Sequence, residues 1–213
     1  MNIILDKNLL KRTTINFINN TLSKNSNWKI LDIGCGYRAH KKATVIADVQ
    51  DFTKLYQNKS FVQIKEKKLP FKDNEFDFVI ASHVVEHVED FEFFLKELER
   101  ISSKGYIELP TMLGDNLVFE NKSDHIWWFT FDDINNIIIA SKKNQLIEHF
   151  VTVSTAKNLE EIFRDSLVIE LFWERKIEYK IDNKIRNEKF KQISFIKLMK
   201  KYLSKKIRML FKK

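Results

Sequence analysis

The stretch Trp28 to Arg38, WKILDIGCGYR, constrains the fold of this chain more than any other. Ile30, Leu31 and Ile33 form the apolar run of a strand covered on both faces, the pattern of a parallel sheet. Asp32 interrupts that run just before a turn. Gly34 and Gly36 allow backbone angles, and a closeness of approach, that a Cβ would block. The chain has only four glycines, so two in three positions mark a turn that needs them. In open α/β sheets, ligands bind beyond the carboxyl ends of the strands, at turns of this kind.

The remaining segments extend the pattern. Thr44 to Asp48 predicts a short buried strand ending in an acid, Phe61 to Ile64 a weak one, and Phe76 to Ser82 a strong one. Phe91, Phe94, Leu95, Leu98 and Ile101 lie on one face of a helix. Tyr106 to Leu109 is a fifth strand. Leu9, Leu10, Thr13, Phe17 and Ile18 fall at helical spacing, so Asp6 to Ser23 is expected to be a helix over the sheet. Thr130 to Ala140 reads as another helix, with Thr130 as N-cap and Asp133 three residues on. Phe150 to Val153 and Leu167 to Trp173 read as two further strands, the last at an antiparallel edge. Strands alternating with helices predict a three-layer, mostly parallel α/β sheet.

Composition narrows the setting. With 213 residues, 44% of them hydrophobic, the chain fits one domain with a substantial core. The single cysteine, Cys35, excludes an internal disulfide and fits a reducing compartment. No apolar run approaches the roughly 20 residues that span a bilayer. The start, MNIILDKNLLKR, places its apolar patch before its charges, the wrong order for a signal peptide. The expectation is a cytoplasmic protein, peripheral on the inner face of a membrane if its tail binds one. The net charge of +8 is uneven: residues 184–213 hold 12 Lys or Arg and one acid, so the remainder is mildly acidic. The division expected is a domain over 1–185 and a basic amphipathic helical tail over 186–213.

The glycine turn alone leaves its ligand open. Gly34-x-Gly36-x-x-Ala39 also fits a loose dinucleotide fingerprint, with Asp48 a little early for the ribose acid. Asp32 argues against a pyrophosphate, which its carboxylate would repel, and suits a cationic ligand. Together, LDIGCG, LPFKDNEFDFVIASHVVEHVED and KGYIELP resemble the class I S-adenosylmethionine-dependent methyltransferases, in the small "type 11" group, over about residues 28 to 140. The resemblance implies a Rossmann-like seven-stranded sheet whose last strand is antiparallel. It implies that Gly34 and Gly36 pack against the methionine part of the cofactor and that Asp32 holds the loop and favours the ammonium. Asp48 would accept from the ribose hydroxyls, and Ser82 and His83 would line the pocket near the methyl donor. The sequence departs from the family at Arg38, where a third glycine is common, at Lys104 before Gly105, and at Lys65. An acid that binds adenine is usual at that last position, and here Glu66 stands beside it.

Methyl transfer from a sulfonium is chiefly a matter of positioning, and a base is needed only for an acceptor that must lose a proton. His83 and His125 are the candidates for that base. His83, Glu86 and His87 spell H-x-x-E-H, a zinc-like spacing, but no third ligand is evident and no metal is expected. His87 reads as a helix residue packed on the sheet, and Trp127, Trp128, Phe129 and Phe131 as packing of the loop after His125. The function expected is O-methylation of a small or lipid-linked acceptor, with a surface-glycan sugar favoured. The tail would contact an anionic membrane surface through 187–213. An inactive cofactor-binding partner subunit and a nucleic-acid methyltransferase are the alternatives. The second lacks a basic stripe on the body and any segment suited to a flipped base.

Overall fold

The computed structural model describes residues 8–118, 124–143, 151–183 and 194–210. Its centre is a seven-stranded sheet in the order β1-β9-β6-β5-β2-β3-β4. The strands are β1 (Leu9–Arg12), β2 (Ile30–Ile33), β3 (Val45–Asp48), β4 (Ser60–Gln63), β5 (Phe78–Ser82), β6 (Lys104–Pro110) and β9 (Val168–Glu174). β2, β3, β4, β5 and β6 pair in parallel. β9 runs antiparallel to both of its neighbours, β6 and β1. All four residues of β2 and of β3 are buried, as the continuous apolar runs require.

Two helices cover the faces. Helix α1 (Ile15–Lys24) buries Ile18 and Leu22 against Ile30, Ile46, Phe78 and Ile80. Its N-cap is Thr14, whose hydroxyl accepts from the Phe17 N–H. Helix α2 (Phe91–Ile101) follows the predicted face and packs Phe91, Leu95, Leu98 and Ile101 on the other side of the sheet, with Leu31, Ile33 and Val79. Asp90 caps it by accepting from Phe93. From α2, Glu97 accepts the Leu69 N–H at 2.8 Å, and Arg100 donates to the Leu69 and Phe71 carbonyls. The Leu-Pro-Phe turn is therefore clamped from behind by an ion pair.

Three expectations fail. The first helix is shorter than its spacing suggested, because Leu9–Arg12 is strand β1. That strand takes the sheet edge beside β9, where Leu10 faces Trp173 in register. Thr130 to Ala140 is a hairpin of β7 (Trp127–Asp132) and β8 (Ile137–Lys142), and Thr130 pairs with Ile139. The aromatic and β-branched content of both arms favours strands. The Asp132 carboxylate accepts the N–H groups of Ile134 and Asn135, and Asn136 takes a left-handed φ of 54°. With β10 (Tyr179–Ile181) the hairpin forms a second, three-stranded sheet on α2. Finally, of the strand expected over Phe150 to Val153, Phe150 lies outside the described residues and Val153 is helical. Thr152 caps helix α4 (Val153–Leu167), and Val151 only bridges Val118. A short helix α3 (Met112–Leu117) follows β6, and helix α5 (Phe195–Leu210) lies in the basic tail.

Candidate functional site

The glycine turn sits where β2 ends. The Gly34 N–H donates to the Ala47 carbonyl at 2.8 Å with φ at +69°. A Cβ there would stand 2.3 Å from a Val84 methyl, so only glycine fits. Gly36 also has a positive φ, +50°, but a Cβ there would meet no atom within 4 Å. Asp48, at the end of β3, accepts the Gly36 N–H with Oδ2 and the Gln50 N–H with Oδ1, each at 2.9 Å. Asp32 lies on the α1 face and accepts the His40 N–H at 2.6 Å. Burial pushes its pKa up to about 6, against the lowering effect of that bond. The two acids thus pin one loop from opposite ends. Burial also pushes the Cys35 thiol up to about 12, so it is an inert turn residue.

Beyond the ends of β2, β3 and β5 opens a cleft of about 780 Å³. Gly34, Asp48, Glu66 and His83 line it, with Leu69, Val84 and Phe94 giving apolar surface. Gly36 is not among the lining residues and is tied to the cleft wall through its N–H bond to Asp48. Asp32 and Ser82 are not among the residues that line it, and Asp32 acts on the loop through the His40 N–H. The Asp32 carboxylate is turned to the loop backbone because β2 alternates its faces: Leu31 and Ile33 face α2, and Asp32 faces α1 with Ile30. Glu66 and Lys65 both line the cleft and both are exposed.

His83 follows β5 with a left-handed φ of 53°, a conformation a non-glycine residue keeps only when its surroundings fix it. Its N–H donates to the Glu108 carbonyl. Its ring stands between two carboxylates, Nε2 at 2.9 Å from Glu108 and Nδ1 at 3.2 Å from Glu86. Burial opposes the charged ring, but the bonds to Glu108 and then Glu86 outweigh it and raise the pKa to about 10. His83 is therefore an imidazolium with no free nitrogen, and the general-base role expected of it has no physical basis here. On the far side, Arg164 of α4 donates to Glu108 at 2.6 Å and to Glu170 at 2.8 Å. The Tyr106 hydroxyl lies within hydrogen-bond reach of both acids. This network was invisible in the sequence, since its members come from β5, β6, α4 and β9.

His125 lies outside the cleft. It lines a second, mostly apolar pocket of about 240 Å³ with Pro110, Leu117, Val118, Val151 and Leu167. His83 is in the wall of both cavities. His125 Nδ1 faces Asp115 at 2.5 Å, and Asp115 also holds Lys143 at 2.9 Å and the Trp128 indole at 2.6 Å. Burial works against the Asp115 carboxylate, yet His125, Lys143 and Trp128 keep its pKa below the usual range. His87 is exposed and lines the cleft, which corrects the expectation of a packed helix residue. Trp127, Trp128, Phe129 and Phe131 are all buried, and Phe91 packs on Trp127 and Phe129.

The family model described as "Methyltransferase domain" matches residues 31–107, from the middle of β2 to the middle of β6. The match covers just over a third of the chain, and over that stretch the chain is similar to a methyltransferase domain. The cofactor that this likeness implies is S-adenosylmethionine. Two features of the cleft fit that group. Gly36 leaves open space where a side chain would stand, and the buried Asp48 carboxylate ends β3 in the cleft wall.

An uncharacterized protein of Methanocaldococcus jannaschii is 35% identical over 104 residues, 43% of this chain and 44% of that one. The chain thus spans less than half the length of that curated relative. Among solved structures, the domain is similar to a protein from Pyrococcus horikoshii OT3, at 16% identity and TM-score 0.43, covering 76% of this chain and 89% of that one. It is also similar to an S-adenosylmethionine-dependent methyltransferase from Mesorhizobium loti, at 13% identity and TM-score 0.41, covering 72% and 94%.

Proposed function

We propose that the protein transfers a methyl group from S-adenosylmethionine to the oxygen of a small or lipid-linked acceptor, a surface-glycan sugar being favoured. The observation that carries this reading is His83, which stands in the wall of the cofactor cleft and of the smaller apolar pocket at once. Two adjoining cavities of unequal size suit a cofactor and an acceptor brought end to end. When bound, the cofactor supplies an activated methyl group. The chain's part is positioning and exclusion of water, which can reach effective molarities of about 10⁵ M. Gly34, Gly36 and Asp48 hold the cofactor end. Pro110, Leu117, Val118 and Val151 give the acceptor end an apolar wall.

The tail supports a lipid-linked acceptor. In α5, Ile196, Met199, Leu203 and Ile207 recur at three- and four-residue spacing and are exposed, as are Lys197, Lys201 and Lys205. An apolar stripe flanked by lysines suits an anionic lipid surface, each nearby lysine adding about 1 kcal/mol. Among the described residues no helix is long and apolar enough to cross a membrane.

The test is an acceptor screen with labelled cofactor on cell extract divided into lipid, glycan and RNA fractions. Label in a lipid or glycan product is expected. Label confined to RNA would replace the reading with nucleic-acid methylation. Cofactor binding without label in any fraction would favour an inactive partner subunit.

A further inference from the structure

We propose that Glu86, His87 and His125 form a binding site for a divalent transition-metal ion, placed between the two cavities. One potential ligand atom from each residue lies within 4.8 Å of the others. The sequence hid this, because His125 is 38 positions beyond His87 and arrives only when the chain folds back before β7. The backbone fixes that return: the Ile126 N–H donates to the Glu86 carbonyl at 2.8 Å.

The side chains around the three residues are set as metal ligands require. His87 Nδ1 bonds the Asp124 carbonyl at 3.0 Å. A carbonyl only accepts, so Nδ1 carries the proton and Nε2 keeps its lone pair. His125 Nδ1 lies 2.5 Å from Asp115 Oδ1 as a close contact without hydrogen-bond geometry, so Nε2 is the ring nitrogen that this acid does not engage. A carbonyl or carboxylate behind each imidazole is the arrangement that orients metal-bound histidines. Glu86 is fully buried, and while Oε1 faces His83, Oε2 has no hydrogen-bond partner among the described residues. A buried carboxylate oxygen without a partner is costly, and a bound cation would remove that cost. The two rings meet edge to face, 4.5 Å between centroids.

Two imidazoles and one carboxylate suit zinc, manganese, iron or cobalt rather than magnesium or calcium. Three protein ligands leave positions open, as in catalytic rather than structural sites. His87 lines the cleft and His125 the smaller pocket, so the open positions face the space between them. The ligand they would take is a hydroxyl oxygen of the acceptor, whose proton a bound cation makes more acidic. That last step rests on the methyl-transfer reading; the metal site does not.

The experiment is a titration of the chelator-treated full chain with Co²⁺ and with Zn²⁺, followed by calorimetry and, for Co²⁺, by visible absorption. One ion per chain is expected. His87→Ala, at an exposed position, and His125→Ala should each weaken it by about 100-fold or more. Absence of binding by the unsubstituted chain, or equal binding by His87→Ala, would overturn the proposal. S-adenosylhomocysteine titrated into the unsubstituted chain separates the two readings. If it binds and the metal does not, only the metal site fails.

Discussion

His83 Nε2 lies 2.9 Å from Glu108 Oε1, and this ion pair joins the ends of two central strands directly beneath the site. The pair makes stability depend on pH. The histidine pKa rises from 6.5 to about 10, so its contribution is complete below about 6.5 and disappears as pH climbs to about 10. The glutamate pKa falls from 4.5 to about 2, so its contribution is complete above about 4.5 and disappears as pH drops to about 2. Melting temperature should therefore peak between these two ordinary values and decline on the alkaline side. His83→Gln should lower the peak and flatten the alkaline decline. An identical decline in the variant would show that other groups cause it.

The two glycines of the turn should respond differently. Gly34→Ala forces a Cβ to 2.3 Å from Val84 at a φ of +69° and should destabilise the fold by more than about 2 kcal/mol. Gly36→Ala meets no protein atom within 4 Å, so only the left-handed backbone cost of about 1 kcal/mol applies. Its larger effect should be on S-adenosylhomocysteine affinity, because its new methyl enters open space next to the N–H that Asp48 of the cleft wall accepts. Thermal melts and calorimetric titrations of both variants check this.

Arg100→Ala should damage the site from behind. It leaves Glu97, only 5% exposed, without its cation and frees the Leu69 and Phe71 carbonyls. A loss of about 2 kcal/mol or more is expected in urea unfolding, with weaker cofactor binding because Leu69 lines the cleft.

Removal of residues 187–213 should abolish sedimentation with anionic vesicles and leave S-adenosylhomocysteine affinity unchanged. Vesicle binding that survives the truncation would place the membrane contact elsewhere.

The parallel core and the cofactor turn were legible because both are local. A buried apolar run shows its period within a few residues, and Gly34 and Gly36 announce the turn on their own. The hairpin at Thr130 was misread because a single Thr–Asp pair was given more weight than seven aromatic or β-branched neighbours. The edge strand Leu9–Arg12 is four residues long and depends on Glu174 and Trp173, which no local pattern reveals. The same holds for the site. Asp48 could be placed from its strand end. The ring of His83 was assigned as a base because Glu108 and Glu86 close on it only in three dimensions.

The account turns on what the cleft beyond β2 and β3 holds, and calorimetric titration of the full chain with S-adenosylhomocysteine, with NAD as comparison, tests it most directly. One S-adenosylhomocysteine per chain and no NAD is the result predicted. NAD binding, or no binding of either, would contradict it.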